Sequence, residues 1–220
     1  MQETHLTSLL IVDDHPLFRK GVKQLILDAG GFDLVGEASS GAEGIDLAYL
    51  RQPEMILLDL NMKDMSGIDV LKVLKAADLD ARVIMLTVSD QEEDLVAALR
   101  AGADGYLLKD MEPEELVAKL LEAAQGQTVL SPALASLLVH AMRQETKPKT
   151  PDEAGLTEQE RKIVERIAAG KSNKLIAREL NIAEGTVKVH VKHLLKKLNL
   201  KSRVEAAVWA VERNRKVTAQ

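Results

Sequence analysis

The 220-residue chain carries a formal net charge of −5, but residues 1–155 hold 14 Lys and Arg against 27 Asp and Glu, whereas residues 156–220 hold 15 against 7. An acidic segment with a balance of −13 followed by a basic one of +8 fits a polyanion-binding domain joined to a domain that does not bind the polyanion. The lack of cysteine excludes disulfides and thiolate metal sites; with no signal-peptide pattern and no run of about 18 apolar residues, the chain is expected to be soluble, cytoplasmic and without a membrane partner.

The first 128 residues alternate short apolar runs with longer amphipathic segments. Strands are expected at 9–12, 33–37, 55–58, 82–87 and 105–108, and helices near 17–29, 41–51, 67–76, 91–101 and 113–125. Leu9-Leu10-Ile11-Val12 and Met55-Ile56-Leu57-Leu58 have no polar position to turn towards water, so both suit strands covered on two faces. The fold class that follows is α/β, a five-stranded doubly wound parallel sheet. Ser131 and Pro132 can open a further helix over 132–142. Residues 143–155, with two prolines, three charges of each sign and no apolar period, form an exposed linker.

From Leu156 the pattern is helical. Thr157 with Glu160 makes a capping box for a helix to about Ala169, Ser172 or Asn173 opens a short helix to Leu180, and a three-residue turn leads into a helix over 184–198. A last helix is expected over 202–213, after a Ser202 cap. This end is a small all-α domain.

Ligands of parallel α/β sheets gather at the carboxyl ends of the strands. There the first strand offers Asp13-Asp14, the third Asp59, the fourth Thr87, and Lys109 follows the fifth. Three carboxylates in one pocket repel each other, and a hard cation such as Mg²⁺ relieves this with oxygen ligands. A hydroxyl and an ammonium beside them suit a phosphoryl group attached to one carboxylate. Tyr106, in the fifth strand, is most simply a half-buried ring with its hydroxyl hydrogen-bonded.

These residues resemble those of two-component receiver domains, in Asp13-Asp14-His15-Pro16, Leu57-Leu58-Asp59-Leu60-Asn61-Met62, Thr87 and Lys109, over residues 8–127. The resemblance implies that Asp59 is the phosphoacceptor and that Asp14 binds Mg²⁺ directly. It further implies Asp13 as a ligand or water-mediated partner and Asn61 as a ligand through its carbonyl. Lys109 would pair with the phosphoryl group, Thr87 would move to meet it, and Tyr106 would reorient in concert. Family members usually carry proline where this chain has Lys63, which removes a φ restriction and adds a charge to the acceptor loop.

The short helix, turn and helix over 173–198 have helix-turn-helix dimensions, and an α-helix fits the major groove of duplex DNA. Lys188 and Lys192, four residues apart, share a face with Val189 beside them and can reach bases or phosphates; Thr186, His190 and Lys201 are candidate backbone contacts. The end resembles LuxR-type DNA-binding domains in residues 156–161, 173–177 and 186–191. With the receiver, the whole chain is similar to the NarL/FixJ family, within it nearest to nitrate- and nitrite-responsive regulators. That likeness implies a receiver over 1–128, a linker helix and linker over 129–155, and a DNA-binding domain over 156–220. The function it implies is phosphorylation-activated transcriptional regulation of anaerobic respiration genes, and not a turnover enzyme, though the receiver would catalyse its own phosphorylation and dephosphorylation. Partners would be a sensor histidine kinase, double-stranded DNA, RNA polymerase and a second copy on DNA, joined through the final helix. Two other readings compete: a Mg²⁺-dependent aspartyl-phosphate phosphohydrolase fused to a nucleic-acid module, and a module whose basic end docks on an acidic protein.

Overall fold

Apolar runs without a polar break need cover on both sides, and Leu9–Val12 and Met55–Leu58 find it in the middle of one parallel sheet. The structure, a computed structural model, describes residues 6–77, 79–130, 134, 154–200 and 202–218, the last five by backbone alone. In chain order the strands are β1 (Thr7–Val12), β2 (Phe32–Ala38), β3 (Met55–Leu58), β4 (Arg82–Thr87), β5 (Gly105–Leu108) and β6 (Val129–Leu130). They lie side by side as β2-β1-β3-β4-β5-β6, every pair parallel. The five expected strands are all present. The sixth is an addition: its two residues are too short to show a period, and they carry the sheet past residue 128.

Helices α1 (Pro16–Ala29), α2 (Gly41–Arg51), α3 (Gly67–Ala76), α4 (Glu92–Arg100) and α5 (Pro113–Ala124) cover both faces. The two-residue period of β1 divides the core. Leu10 and Val12 pack with Val70, Leu71, Leu74, Leu95 and Leu99 of α3 and α4, whereas Leu9 and Ile11 pack with Val22, Ile26, Leu116 and Leu120 of α1 and α5. Ser40 and Ser66 cap α2 and α3 by accepting the N–H groups of Glu43 and Ile68. The helix expected over 132–142 lies outside the described residues except for Leu134, as does most of the 143–155 linker.

The carboxy-terminal end comprises α6 (Glu158–Ala168), α7 (Asn173–Leu180), α8 (Glu184–Leu198) and α9 (Arg203–Thr218). Thr157 and Glu160 form the complete capping box, Ser172 caps α7 through Leu175 N–H, and Ser202 Oγ accepts Glu205 N–H. Asn181 and Asn199, at φ 51° and 58°, turn the chain out of α7 and α8 through the left-handed region that asparagine tolerates. Ile163, Ile167, Ile176, Val187, Leu194, Leu198 and Trp209 form a separate core. Helix α9 runs to Thr218 rather than stopping near 213: its apolar pattern ends at Val211, but no glycine or proline follows to break the helix.

Candidate functional site

The strand order reverses between β1 and β3, and a parallel sheet opens a crevice at such a point. Asp13 leaves β1 with its N–H on the Ala38 carbonyl (3.1 Å), and Asp59 leaves β3 with its N–H on the Val12 carbonyl (2.9 Å). Lys109 leaves β5 with its N–H on the Thr87 carbonyl (2.8 Å). Ladder bonds therefore fix the backbone from which each side chain departs. Gly67 permits the loop after Asp59 to close, because its N–H donates to the Leu60 carbonyl (2.8 Å) and a Cβ there would collide with the Asp59 carbonyl oxygen.

The pocket is compact and charged. Lys109 Nζ stands 2.7 Å from Asp13 Oδ2 and 2.8 Å from Asp59 Oδ2, and all three side chains are buried. Burial pushes the Asp59 carboxyl up from its ordinary range, against the opposing pull of Lys109. Asp14 is tied by Oδ2 to the Lys63 N–H (3.2 Å), while its Oδ1, also buried, receives no hydrogen bond. That oxygen lies 3.0 Å from His15 Nδ1, beside two further carboxylates, where a cation ligand would fit. Asp13, Asp14, His15 and Asp59 each offer one ligand atom, all within 4.8 Å of one another, so this cluster can hold a metal. Asn61 joins the pocket through its N–H, 3.4 Å from Asp59 Oδ1.

Thr87 and Tyr106 are more completely buried than the pocket carboxylates. Thr87 is fully buried and its Oγ1 accepts the Ser89 N–H (3.1 Å). Tyr106, expected to be half-buried, is fully buried, because α4 covers that strand; its hydroxyl donates to the Ser89 carbonyl (3.0 Å). Burial, with Asp94 and Asp90 nearby, pushes this phenol up to about 12. Both side chains thus hold the same residue, Ser89, in the loop after β4.

Sequence reasoning missed three contributors. His15 folds its imidazole over the carboxylates; Phe18 lays its ring under Lys109, whose ammonium is 4.6 Å from the ring centroid; Arg19 donates to the Asp13 carbonyl (2.5 Å). His15 is next to the acidic pair and Phe18 and Arg19 follow within one helical turn, but only the fold brings α1 to β5. Lys63, noted for its charge, meets Asp14 twice: the backbone donor that proline would lack bonds Asp14 Oδ2, and its Nζ stands 3.9 Å from the same oxygen.

On α8, Val187, Leu194 and Leu198 face the core, leaving Thr186, Lys188, Val189 and Lys192 exposed and His190 half-exposed. The proposed reading residues do therefore share an outward face. Lys201 lies outside the described residues. That face is not free: Lys188 Nζ is 2.7 Å from Asp80 Oδ1, between α3 and β4. Nearby, the backbone of Gly126 (φ 93°) abuts Ser172, and Val204 and Val208 of α9 join the core cluster of α3 and α4. Arg203 donates to Asn173 Oδ1 (2.8 Å) and to the Lys171 carbonyl, and burial followed by the charge of Arg82 brings its guanidinium down to about 10.

Residues 9–121 match the response regulator receiver domain, and residues 154–210 match the bacterial regulatory proteins of the luxR family. The chain is 52% identical over 209 residues to the nitrate/nitrite response regulator protein NarL of Escherichia coli K12, covering 95% of this chain and 97% of that one. It is 46% identical over 208 residues to NarP of the same organism, another nitrate/nitrite response regulator protein, covering 94% and 96%. Among solved structures, the receiver domain of a NarL response regulator from Mycobacterium tuberculosis superposes with a TM-score of 0.54 at 35% identity, covering 56% of this chain and 99% of that one. No helix among the described residues is long and apolar enough to cross a membrane. With the carboxylate pocket on a parallel sheet, the exposed basic helix of a helix-turn-helix and these matches over nearly its whole length, the chain belongs to the NarL/FixJ family of two-component response regulators, DNA-binding transcriptional regulators with a LuxR-type domain.

Proposed function

We propose that phosphoryl transfer to Asp59 releases the DNA-reading helix from the receiver. The observation that carries this reading is the 2.7 Å ion pair between Lys188, on the outward face of α8, and Asp80 of the receiver. While that pair and the packing of Val204 and Val208 persist, α8 cannot present Lys188 to DNA and α9 cannot pair with a second copy. Release of both would couple DNA binding to dimer formation.

At the pocket, a carboxylate oxygen of Asp59 attacks the phosphorus of a donor, the bond to the donor's leaving group breaks, and water later hydrolyses the acyl phosphate. Lys109 is already within ion-pair distance of Asp59 and meets the new negative charge. Asp13, Asp14, Asp59 and the Asn61 carbonyl are the residues that would hold Mg²⁺, whose charge offsets the phosphoryl oxygens. Thr87 leaves Ser89 to reach the phosphoryl group, and Tyr106 follows, since both bond that residue. The chain acts on itself and turns over no independent substrate. A cognate sensor kinase is the natural donor, RNA polymerase the downstream partner, and the bacterial cytoplasm, where the DNA lies, the place of action. Likeness to the nitrate/nitrite response regulators supports nitrate or nitrite as the signal and anaerobic respiration genes as the targets.

The test is incubation with Mg²⁺ and labelled acetyl phosphate, followed by DNA-binding titration. Native protein is expected to take up one phosphoryl group per chain and to bind DNA more tightly, and Asp59→Ala to do neither. Unchanged uptake in Asp59→Ala would remove the acceptor assignment; uptake without tighter binding would remove the coupling.

A further inference from the structure

The loop that carries Asn61 and Lys63 past the carboxylates has no proline to stiffen it, so its course depends on what its neighbours hold. Consecutive residues are held from opposite sides. The Lys63 N–H donates to Asp14 Oδ2 (3.2 Å), whereas Asp64 turns to the amino end of α2, where its Oδ1 accepts the Gly41 N–H (3.0 Å) and its Oδ2 the Ala42 N–H (3.1 Å). The first N–H groups of a helix have no partner within it, and a carboxylate there also meets the positive end of the helix dipole. Ser40 takes the third of these donors, from Glu43, and Asp64 takes the first two. The Gly41 N–H, followed by that of Ala42, holds the Asp64 carboxyl below the ordinary carboxylate range. Met65 then lies so close to Gly41 that a Cβ at that glycine would stand 2.5 Å from the methionine Cγ. Lys63 and Asp64 thus bridge Asp14 and α2, and the bridge is bonded at both ends.

We infer that Asp64 is a positioning residue for the phosphorylation pocket: by clamping the acceptor loop to α2 it keeps the Lys63 N–H on Asp14, and so sets how well Asp14 is aimed for Mg²⁺. The inference rests on the reading of this pocket as the Mg²⁺ site and adds the residue that orients one of its carboxylates from outside. Asp64 is itself exposed, and its influence on the pocket runs through the Lys63 N–H. Groups that orient a metal-binding carboxylate govern affinity, because a carboxylate already fixed has less rotamer freedom to lose when the ion binds. Without the clamp, Lys63, whose φ no ring restricts, is free to swing its N–H away from Asp14 Oδ2. The signature is a change in Mg²⁺ affinity with the transfer step preserved at saturating Mg²⁺, since Asp59 and Lys109 leave strands whose own ladder bonds fix them.

The experiment is calorimetric titration of the full-length protein with Mg²⁺, paired with rates of phosphorylation by acetyl phosphate at saturating Mg²⁺, for native, Asp64→Ala, Asp64→Asn and Ser40→Ala proteins. Ser40→Ala is the control for stability, because it removes a cap from the same helix end and leaves the bonds to the loop in place. Asp64→Ala is expected to weaken Mg²⁺ binding about three- to tenfold while the saturated rate stays within about twofold of native. Asp64→Asn, whose amide oxygen still accepts an N–H, is expected to recover part of the loss. Ser40→Ala is expected to lower the melting temperature, as Asp64→Ala does, yet to leave Mg²⁺ affinity within about twofold of native. The route is checked in a Lys63→Pro background: there the donor to Asp14 is already gone, and adding Asp64→Ala should weaken Mg²⁺ binding by less than about twofold. Native affinity in Asp64→Ala, or equal weakening in Ser40→Ala, would overturn the positioning role while leaving the Mg²⁺ site standing. An undiminished effect of Asp64→Ala in the Lys63→Pro background would overturn the route through Lys63. No Mg²⁺ binding by native protein would overturn the site itself, and the inference with it.

Discussion

Lys109 is heavily committed, since its single charge is shared between two buried carboxylates and rests on an aromatic face. Its two ion pairs are desolvated and so are stronger than surface pairs, but they also pull the ammonium between Asp13 and Asp59. The ring of Phe18 limits where it can settle. A cation over an aromatic face is worth about 0.5–2 kcal/mol, and the half-buried Phe18 packs its remaining surface among the residues of α1 and α5. Phe18→Leu keeps that apolar packing and removes the π face. It is expected to slow phosphorylation by acetyl phosphate about fivefold, the equivalent of roughly 1 kcal/mol, with little change in melting temperature. A rate equal to that of native protein would mean the carboxylates alone position Lys109.

Helix α6 depends on a smaller network of the same kind. Glu160 accepts from the Thr157 N–H (2.7 Å) and hydroxyl (3.0 Å) and pairs with Lys197 of α8 (2.7 Å), so one buried carboxylate closes a cap and joins two helices. Burial alone would raise its pKa, but the donors from Lys197 and Thr157 outweigh it and hold it below the ordinary range. A carboxyl lowered in the folded state stabilises above its unfolded value, and that stabilisation is lost as pH falls through the folded one. Because Lys197 is about one-third exposed, screening keeps the gain modest. Glu160→Gln should cost about 1–2 kcal/mol at pH 7, and its thermal melts should converge with those of native protein as pH falls from 4.5 downward. Parallel curves across that range would assign the role of Glu160 to shape rather than charge. This element was legible in the sequence because a capping box is local: Thr157 and Glu160 are three residues apart. The start of α7 was legible for the same reason, since Ser172 stands directly before it. Strand β6 was not, since Val129-Leu130 pairs only because β5 lies ready beside it. The pocket divides the same way. Asp13, Asp59 and Lys109 could be placed from their positions at strand ends, but Phe18 beneath Lys109 and the Lys63 bond to Asp14 depend on which faces tertiary packing brings together.

For the whole molecule, the question is how firmly the two halves hold each other. The Lys188–Asp80 pair is exposed at 43% and 75% of its side chains, and such pairs contribute about 0–1 kcal/mol. Burial of Val204 against the receiver is the stronger contact, since a fully covered valine is worth about 1.5 kcal/mol or more. Together they suit a switch: a closed population of 99:1 needs only about 2.7 kcal/mol and lowers apparent DNA affinity about 100-fold. The weak, charged part of the contact can be altered without touching the DNA-binding end. Asp80→Lys leaves α8 intact and exchanges an attraction for a repulsion of Lys188, a change of about 1–2 kcal/mol at low salt. Unphosphorylated Asp80→Lys protein is therefore expected to bind DNA about 5- to 30-fold more tightly than native protein, with the gain shrinking as salt is raised because exposed charges are screened. Added positive charge could itself attract DNA, so Lys188 supplies the control: in a Lys188→Ala background the repulsion is absent, and Asp80→Lys should then give little further gain. Sedimentation must accompany the titrations, because release of α9 would also favour dimers. An equal gain in both backgrounds would mean that Asp80→Lys acts by general attraction to DNA. No gain in either would mean that the receiver does not restrain α8 through this contact, and control by Asp59 would have to run through dimer formation.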